Sequence, residues 1–206
     1  MFALGDLLGP GRCAGCRRSG TMLCARCRST LRPAAEVQAP RGVDRALAAW
    51  EYEGAARSLV LGLKVGGLAA AAQPMADALV GLVRAHGTDA RALAWVPGRA
   101  ADVRRRGFDH AEVIARALAG RTGLPARGLL ARTGHAGHLD QAGLSRARRF
   151  ANLSGAFRAD SCGGVLIVVD DLITTGATAR SCAAALRAGG ASRVEVVAVC
   201  HTAARG

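Results

Sequence analysis

Apolar residues in this chain fall into two kinds of run. Val165-Leu-Ile-Val-Val169 is an unbroken apolar block rich in β-branched residues, the pattern of a strand covered on both faces, as in a parallel sheet. Ala92-Leu-Ala-Trp-Val96 and Val194-Glu-Val-Val-Ala-Val199 read the same way, and Ala46 to Tyr52 predicts a further strand. Between these runs the spacing turns helical. Ala179, Cys182, Ala183 and Leu186 recur on one side, with Arg180 and Arg187 opposite, and Gly189-Gly190 ends the run. Ala111, Ile114, Ala115 and Leu118 do the same behind Asp109-x-x-Glu112, a capping-box pattern, and Glu112 and Arg116 stand at pairing distance. Ala55 to Lys64 predicts a helix closed by Gly66-Gly67, and Pro74 suits the first turn of one carrying Met75, Ala78, Leu79 and Leu82. Strands alternating with helices predict an α/β domain built on a parallel sheet.

The first forty residues break this pattern. Cys13-x-x-Cys16 and Cys24-x-x-Cys27 are two knuckle-like pairs, each able to aim two thiolates at one ion. Four soft sulfur ligands favour tetrahedral Zn²⁺ and leave no open position, which predicts a structural metal with little other core. Arg12, Arg17, Arg18, Arg26 and Arg28 offset the charge of such a centre and also offer contacts to nucleic-acid phosphates. Arg32-Pro-Ala-Ala-Glu-Val-Gln-Ala-Pro40 reads as a linker, so the expected division is a zinc ribbon over 1–40 and a larger domain over 41–206.

Composition narrows the function classes. Half of the 206 residues are hydrophobic but only 3% are aromatic, so the core is aliphatic and stacking platforms for single-stranded nucleic acid are scarce. The net charge of +13 comes almost wholly from Arg and suits polyanionic ligands. Lys64 is the only lysine and reads as an exposed side chain. The apolar stretch 66–83 is interrupted by Gln73, Pro74 and Asp77, which argues against a membrane span, and no signal peptide is read at the start. Seven cysteines in a chain expected to be cytoplasmic point to metal before disulfides. Cys162, Cys182 and Cys200 read as small core residues, and His135 and His138 as loop histidines.

The chemistry concentrates after the apolar block. Asp170-Asp171 follows it, then Thr174-Thr175-Gly176-Ala177-Thr178 opens onto a helix. Small residues with free backbone N–H groups at a helix start form an anion cradle, and threonine hydroxyls add donors for a phosphate. The acid pair repels that phosphate but accepts hydrogen bonds from sugar hydroxyls or holds a divalent cation. Together they describe a ribose 5-phosphate site at the carboxyl edge of a parallel sheet. Neither a Walker loop nor a dinucleotide fingerprint is present. Pro97-Gly98-Arg99 ends another strand, and its backbone amides suit a second anion such as pyrophosphate. Arg104-Arg105-Arg106 reads equally as a solvated loop, and 133–146 as a mobile basic loop.

The segment 165–178 resembles the phosphoribosyl-pyrophosphate signature of type I phosphoribosyltransferases. The chain as a whole resembles the ComF family, the competence-protein F group, through the four-cysteine ribbon, Tyr52-Glu-Gly54, Leu63-Lys64, Val96-Pro97, Arg106-Gly-Phe-Asp-His-Ala111, Arg132-Thr133 with Gln141, Arg149 with Asn152, Ala156-Phe157 and the 165–178 signature. It departs from the family's Arg-Gly-Phe-Asn-Gln at Asp109 and His110, and from its Pro-Val-Pro-Leu at Trp95-Val-Pro-Gly98. The resemblance implies a type I phosphoribosyltransferase fold with phosphoribosyl pyrophosphate as ligand. It implies that Thr174, Thr175, Gly176, Ala177 and Thr178 hold the 5-phosphate and that Asp170 and Asp171 read the ribose hydroxyls. Mg²⁺ would bridge hydroxyls and pyrophosphate, Pro97, Gly98 and Arg99 would hold pyrophosphate, and a basic loop with Arg132, Thr133 and Gln141 would close the site. The alternative it implies is a DNA-binding accessory of natural transformation (DNA uptake), using the sugar-phosphate site for nucleotide or strand-end binding and the ribbon with its arginines for single-stranded DNA.

Overall fold

The computed structural model describes residues 11–133 and 155–202. Four strands, β1 (Arg45–Glu51), β2 (Ala92–Trp95), β5 (Gly164–Ile173) and β6 (Ala191–His201), form one parallel sheet in the order β1-β6-β5-β2. Two short strands, β3 (Leu130–Arg132) and β4 (Phe157–Ala159), pair antiparallel beside it. The helices are α1 (Ala25–Arg28), α2 (Gly54–Lys64), α3 (Ala72–His86), α4 (Ala100–Arg106), α5 (His110–Thr122) and α6 (Ala177–Ala188). Among the described residues no helix is long and apolar enough to cross a membrane.

The apolar block of β5 works as its sequence predicts. Side chains alternate across a strand, so Val165, Ile167 and Val169 enter one buried cluster with α2, α3 and α5. Leu166 and Val168 enter the other, with α6, β3 and β4. Both faces are covered, which is why no polar residue interrupts the run. Two expected ends differ. β5 continues through the acid pair to Ile173, because Leu172 and Ile173 are apolar and keep pairing with Cys200 and His201. Residues 104–106 are not a loop but the last turn of α4, closed by Gly107 in the left-handed region at φ 83.

The cysteine segment has more core than the sequence suggests. Cys13, Leu23 and Cys27 are buried in the same cluster as Leu59 and Leu63 of α2. A Cβ on Gly15 would lie 2.8 Å from Cys27 Sγ and 3.2 Å from Ala55 Cβ, so only glycine lets the segment approach this closely. The stretch after it is stitched to the edge of β1. Arg32 O accepts from Glu51 N at 2.9 Å, Ala34 N donates to Ala49 O at 3.1 Å, and Ala35 N donates to Glu51 Oε1 at 2.7 Å. Val37 and Val43 are buried under it, and Pro40 ends against Gly176, where a Cβ would meet the proline ring at 2.3 Å.

Leu59 is fully buried at the junction of helices and cysteine segment. Leu59→Ala should lower the unfolding free energy by about 2–5 kcal/mol. In the same denaturant series, thiol reactivity of Cys13 and Cys27 should rise together with loss of helical circular dichroism. Two separated transitions would count against a shared core.

Candidate functional site

All four sheet strands run the same way, so their carboxyl ends share one edge, and the candidate residues lie along it. Alternation again decides where the acids go. Asp171 continues the series of Val165, Ile167 and Val169 toward α2 and α5, and Asp170 continues that of Leu166 and Val168. Asp171 is 2% exposed and Asp170 8%.

Buried so deeply, Asp171 needs cationic partners. Lys64 Nζ, at the end of α2, lies 3.1 Å from Asp171 Oδ2 and donates to Oδ1 at 3.4 Å. His110 Nε2, at the start of α5, lies 3.5 Å from the same Oδ1. Oδ2 itself accepts no directed hydrogen bond. Burial alone would raise this carboxyl, but His110 and Lys64 outweigh it and hold it below the ordinary aspartate value. Asp170 moves the other way, raised by burial and then by the neighbouring Asp171 charge. Its Oδ1 accepts from Asp171 N at 2.8 Å. Lys64 is therefore not a chance exposed lysine but the counter-ion of the acid pair.

A second layer holds the first in place. Arg106 donates to Lys64 O at 3.0 Å and stands 3.3 Å from His110 Nδ1. Asp109 caps α5 by accepting from Ala111 N at 3.2 Å, and its other oxygen accepts from Gly98 N at 2.7 Å. The capping box is thus half formed, since Glu112 turns outward to Arg116 at 2.8 Å. Gly98 is also not an open anion donor, because Asp109 already takes its N–H. A Cβ there would crowd Val103 at 3.1 Å and the Asp109 carboxylate at 3.3 Å.

These groups surround one cavity of about 290 Å³. Pro97, Gly98 and Arg99 line one side, Asp170, Asp171, Thr174 and Thr178 the other, with Lys64, Arg106, His110 and Arg132 between. Arg132 belongs to β3 and is fixed, donating to Pro97 O at 2.8 Å and stacking over Phe157 at 4.8 Å. Burial, and then the like charge of Arg99, lower its affinity for its proton. Cations crowded at a half-closed cavity create a strong field for an anion. Thr133 lies next to it, its hydroxyl donating to Gly155 O at 2.6 Å, and Gln141 lies outside the described residues. Thr175 and Gly176 face a neighbouring cleft instead, with Gly176 left-handed at φ 70 and Ala177 buried at the start of α6. Lys64, Arg106, Asp109 and His110 were not legible as site residues. Lys64 reaches Asp171, and Arg106 reaches Lys64 and His110, through tertiary packing; in the sequence these residues stood only in the Leu63-Lys64 and Arg106–Ala111 stretches of the family resemblance, with Asp109 and His110 as its departures.

The four cysteines Cys13, Cys16, Cys24 and Cys27 bring their sulfurs within 4.8 Å of one another, and Cys16 Sγ and Cys24 Sγ are 3.6 Å apart. Tetrahedral Zn–S bonds of about 2.3 Å place sulfurs about 3.8 Å apart, so the cluster fits that ion. Burial would raise Cys13, but the N–H groups of Cys16, Cys24 and Gly15 outweigh it and bring it down to about 6. Burial and the neighbouring thiols push Cys27 up to about 12, as expected where four thiolates cannot coexist without a cation.

Because the Lys64 side chain is 44% exposed, water already screens part of its pair with Asp171. Lys64→Met should therefore cost about 1–2 kcal/mol at pH 7. The folded-state value of Asp171 is depressed. Its stabilisation is thus fully present above the unfolded aspartate value of about 3.9 and drains away as pH falls below it. Urea midpoints of wild type and variant should accordingly differ at pH 7 and draw together only as the pH falls through the depressed folded-state value, well under the unfolded one. Equal midpoints at pH 7 would show that the pair does not stabilise the fold.

No family model matches the chain, and no curated protein matches it significantly. Solved structures similar to part of it include the following two. One is described as a glutamine phosphoribosylpyrophosphate (PRPP) amidotransferase from B. subtilis complexed with ADP and GMP; it is 22% identical, with 63% of this chain and 27% of that one covered, at a TM-score of 0.43. The other is described as the allosteric regulatory enzyme of purine biosynthesis; it is 21% identical, with 62% of this chain and 26% of that one covered, at a TM-score of 0.40. This chain thus spans about a quarter of the length of each.

Proposed function

We propose that this chain is a ComF-like protein that binds phosphoribosyl pyrophosphate with Mg²⁺ and carries out phosphoribosyl transfer, with a structural zinc in its N-terminal segment. The observation that carries this function is the single cavity that joins the acid pair, Thr174 and Thr178 of the 174–178 loop, and the Pro97–Arg99 loop. A ribose bearing two separated anions needs that set: hydroxyl acceptors in the middle and a cradle at either end. The amides opening α6, with Thr174 and Thr178, take the 5-phosphate. Asp170 and Asp171 accept from the 2- and 3-hydroxyls. Arg99, Arg132, Lys64 and Arg106 face the pyrophosphate. Asp170 and Asp171, which cluster with His110, would hold Mg²⁺, and that ion would supply charge neutralisation on the leaving pyrophosphate when it accompanies the ligand.

Breaking the bond between C1 and pyrophosphate leaves positive charge on the ribose and negative charge on the departing group. The carboxylates lie on the ribose side and the guanidinium groups on the pyrophosphate side, so fixed charges favour the separation in place of reorganising water. Lys64 and His110 hold Asp171 ionised and aimed, which makes them positioning residues. The thiol-rich segment supports a cytoplasmic location, where thiols stay reduced.

Calorimetric titration with Mg²⁺ and phosphoribosyl pyrophosphate should show one site per chain. Asp170→Asn/Asp171→Asn should weaken it about tenfold or more. Unchanged affinity in that variant would remove the acid pair from the site. Elemental analysis of purified protein should find one zinc per chain, and Cys13→Ser/Cys16→Ser should lose it and lower the melting temperature by about 4 °C or more. A metal-free native protein of full stability would exclude the structural zinc.

A further inference from the structure

A second cleft, of about 580 Å³, opens behind the 174–176 loop. Thr174 lines both this cleft and the acid-pair cavity, so the loop is a wall that the two share. Residues 35–41 form the other side of the cleft. They are fixed there by Ala35 N donating to Glu51 Oε1 at 2.7 Å and by Pro40 packed against Gly176.

Two guanidinium groups set its charge. Arg41 and Arg180, the latter in the first turn of α6, both line the cleft, against the single exposed carboxylate of Glu36. The same two arginines line a neighbouring depression of about 620 Å³ along α6, so they form a cationic ridge between two openings. Thr174 and Thr175, both exposed, add hydroxyls on the loop side, and Val37, Pro40 and Ile173 add an aliphatic wall. Guanidinium forks and hydroxyl donors match the oxygens of a phosphate, and the aliphatic wall suits an organic group carried on it. Neither arginine lines the acid-pair cavity, so the ridge serves a different ligand.

We infer that this cleft is a second, inhibitory anion site, which takes a phosphate monoester on Arg41 and Arg180. The sign follows from the shared wall. Thr174 has one hydroxyl proton, and an anion on the outer side takes it from the 5-phosphate on the inner side. Two anions on opposite sides of one short loop also repel each other. An occupant of the cleft therefore weakens the ligand of the first cavity without excluding it, and the effect is reciprocal. The inhibition rests on the phosphoribosyl-pyrophosphate function proposed above; the anion site itself does not.

Phenyl phosphate and inorganic phosphate are the probes, the second lacking the organic group. Full-length protein is titrated calorimetrically with Mg²⁺ and phosphoribosyl pyrophosphate at rising concentrations of each probe. Phenyl phosphate should raise the Kd about fivefold and then reach a plateau. Inorganic phosphate should reach the same plateau only at higher concentration, and equal potency overturns the choice of an ester over free phosphate. Arg41→Ala should abolish the response, while its phosphoribosyl-pyrophosphate affinity without probe stays that of wild type, which separates loss of the cleft from loss of the fold. A Kd that rises without limit reports direct competition in the first cavity. That result, no rise at all, or an equal plateau in the variant overturns the outer site and leaves the sugar-phosphate function standing. If phosphoribosyl pyrophosphate does not bind, that function falls, and direct titration with phenyl phosphate decides the cleft. Binding that Arg41→Ala removes supports the anion site; no binding, or binding that the variant keeps, overturns it.

Discussion

A carboxylate taken almost wholly out of water at the end of β5 sets the terms for the rest of the molecule. Asp171 is tolerable there only because α2 delivers Lys64 and α5 delivers His110 to its two sides. Arg106 then ties Lys64's own carbonyl and approaches the outer nitrogen of His110, so three helices are indexed to one strand end. Remove the acid and the convergence has no reason to be so tight; remove its partners and the acid is an uncompensated buried charge. The neighbouring Asp170 inherits the opposite problem, since its partner's charge and its own burial both favour a proton.

The loops on either side of this pair are fixed by contacts that a ligand does not have to provide. Asp109 fastens the Pro97–Arg99 turn through the Gly98 amide, while β3 supplies Arg132, bonded to Pro97 O and stacked on Phe157. On the opposite side Pro40 seats on Gly176, so the turn that opens α6 is set by a residue from the far end of the chain. Donors and charges held in advance lose little entropy when an anion arrives, which is the physical content of preorganisation. The stretch 35–40 has one foot on β1, through Ala35, and the other on this turn, through Pro40, so the cysteine segment that precedes it is tied to the sheet edge.

Much of this was legible in the sequence, for reasons that can be named. The runs at 92–96 and 165–169, and 194–199 apart from Glu195, are apolar because their strands are buried on both faces, and the helices that pair with them carry a clear apolar stripe. The acid pair and the threonine loop were legible because their chemistry is local. What escaped was either long-range or weakly patterned. Lys64 and Asp171 are 107 positions apart, and no local property of a lone lysine points to its partner. Helix α4 buries no residue, so it offers no stripe to distinguish it from a solvated basic loop. Strands β3 and β4 have three residues each, too short for alternation to register. The cysteine segment promised a metal but not its burial against α2, since Leu23 and Gly15 look unremarkable outside the fold. Expectations for Gln141, His135, His138 and most of the basic loop fall outside the described residues.

The position of β6 has a kinetic consequence. It occupies an interior place in the sheet, between β1 and β5, although it is the last strand among the described residues. Its register with β1 joins Arg45 to Glu195, a closure across most of the sequence. During synthesis β1 therefore waits, edge open, for a partner made long after it, and non-local parallel pairing of this kind is slow. No partially made chain can present either cavity, because both are framed by elements that β6 locks together. A nascent chain stalled before Ala191 exposes the apolar sides of β1 and β5 and becomes a client for chaperones, not a partly active protein.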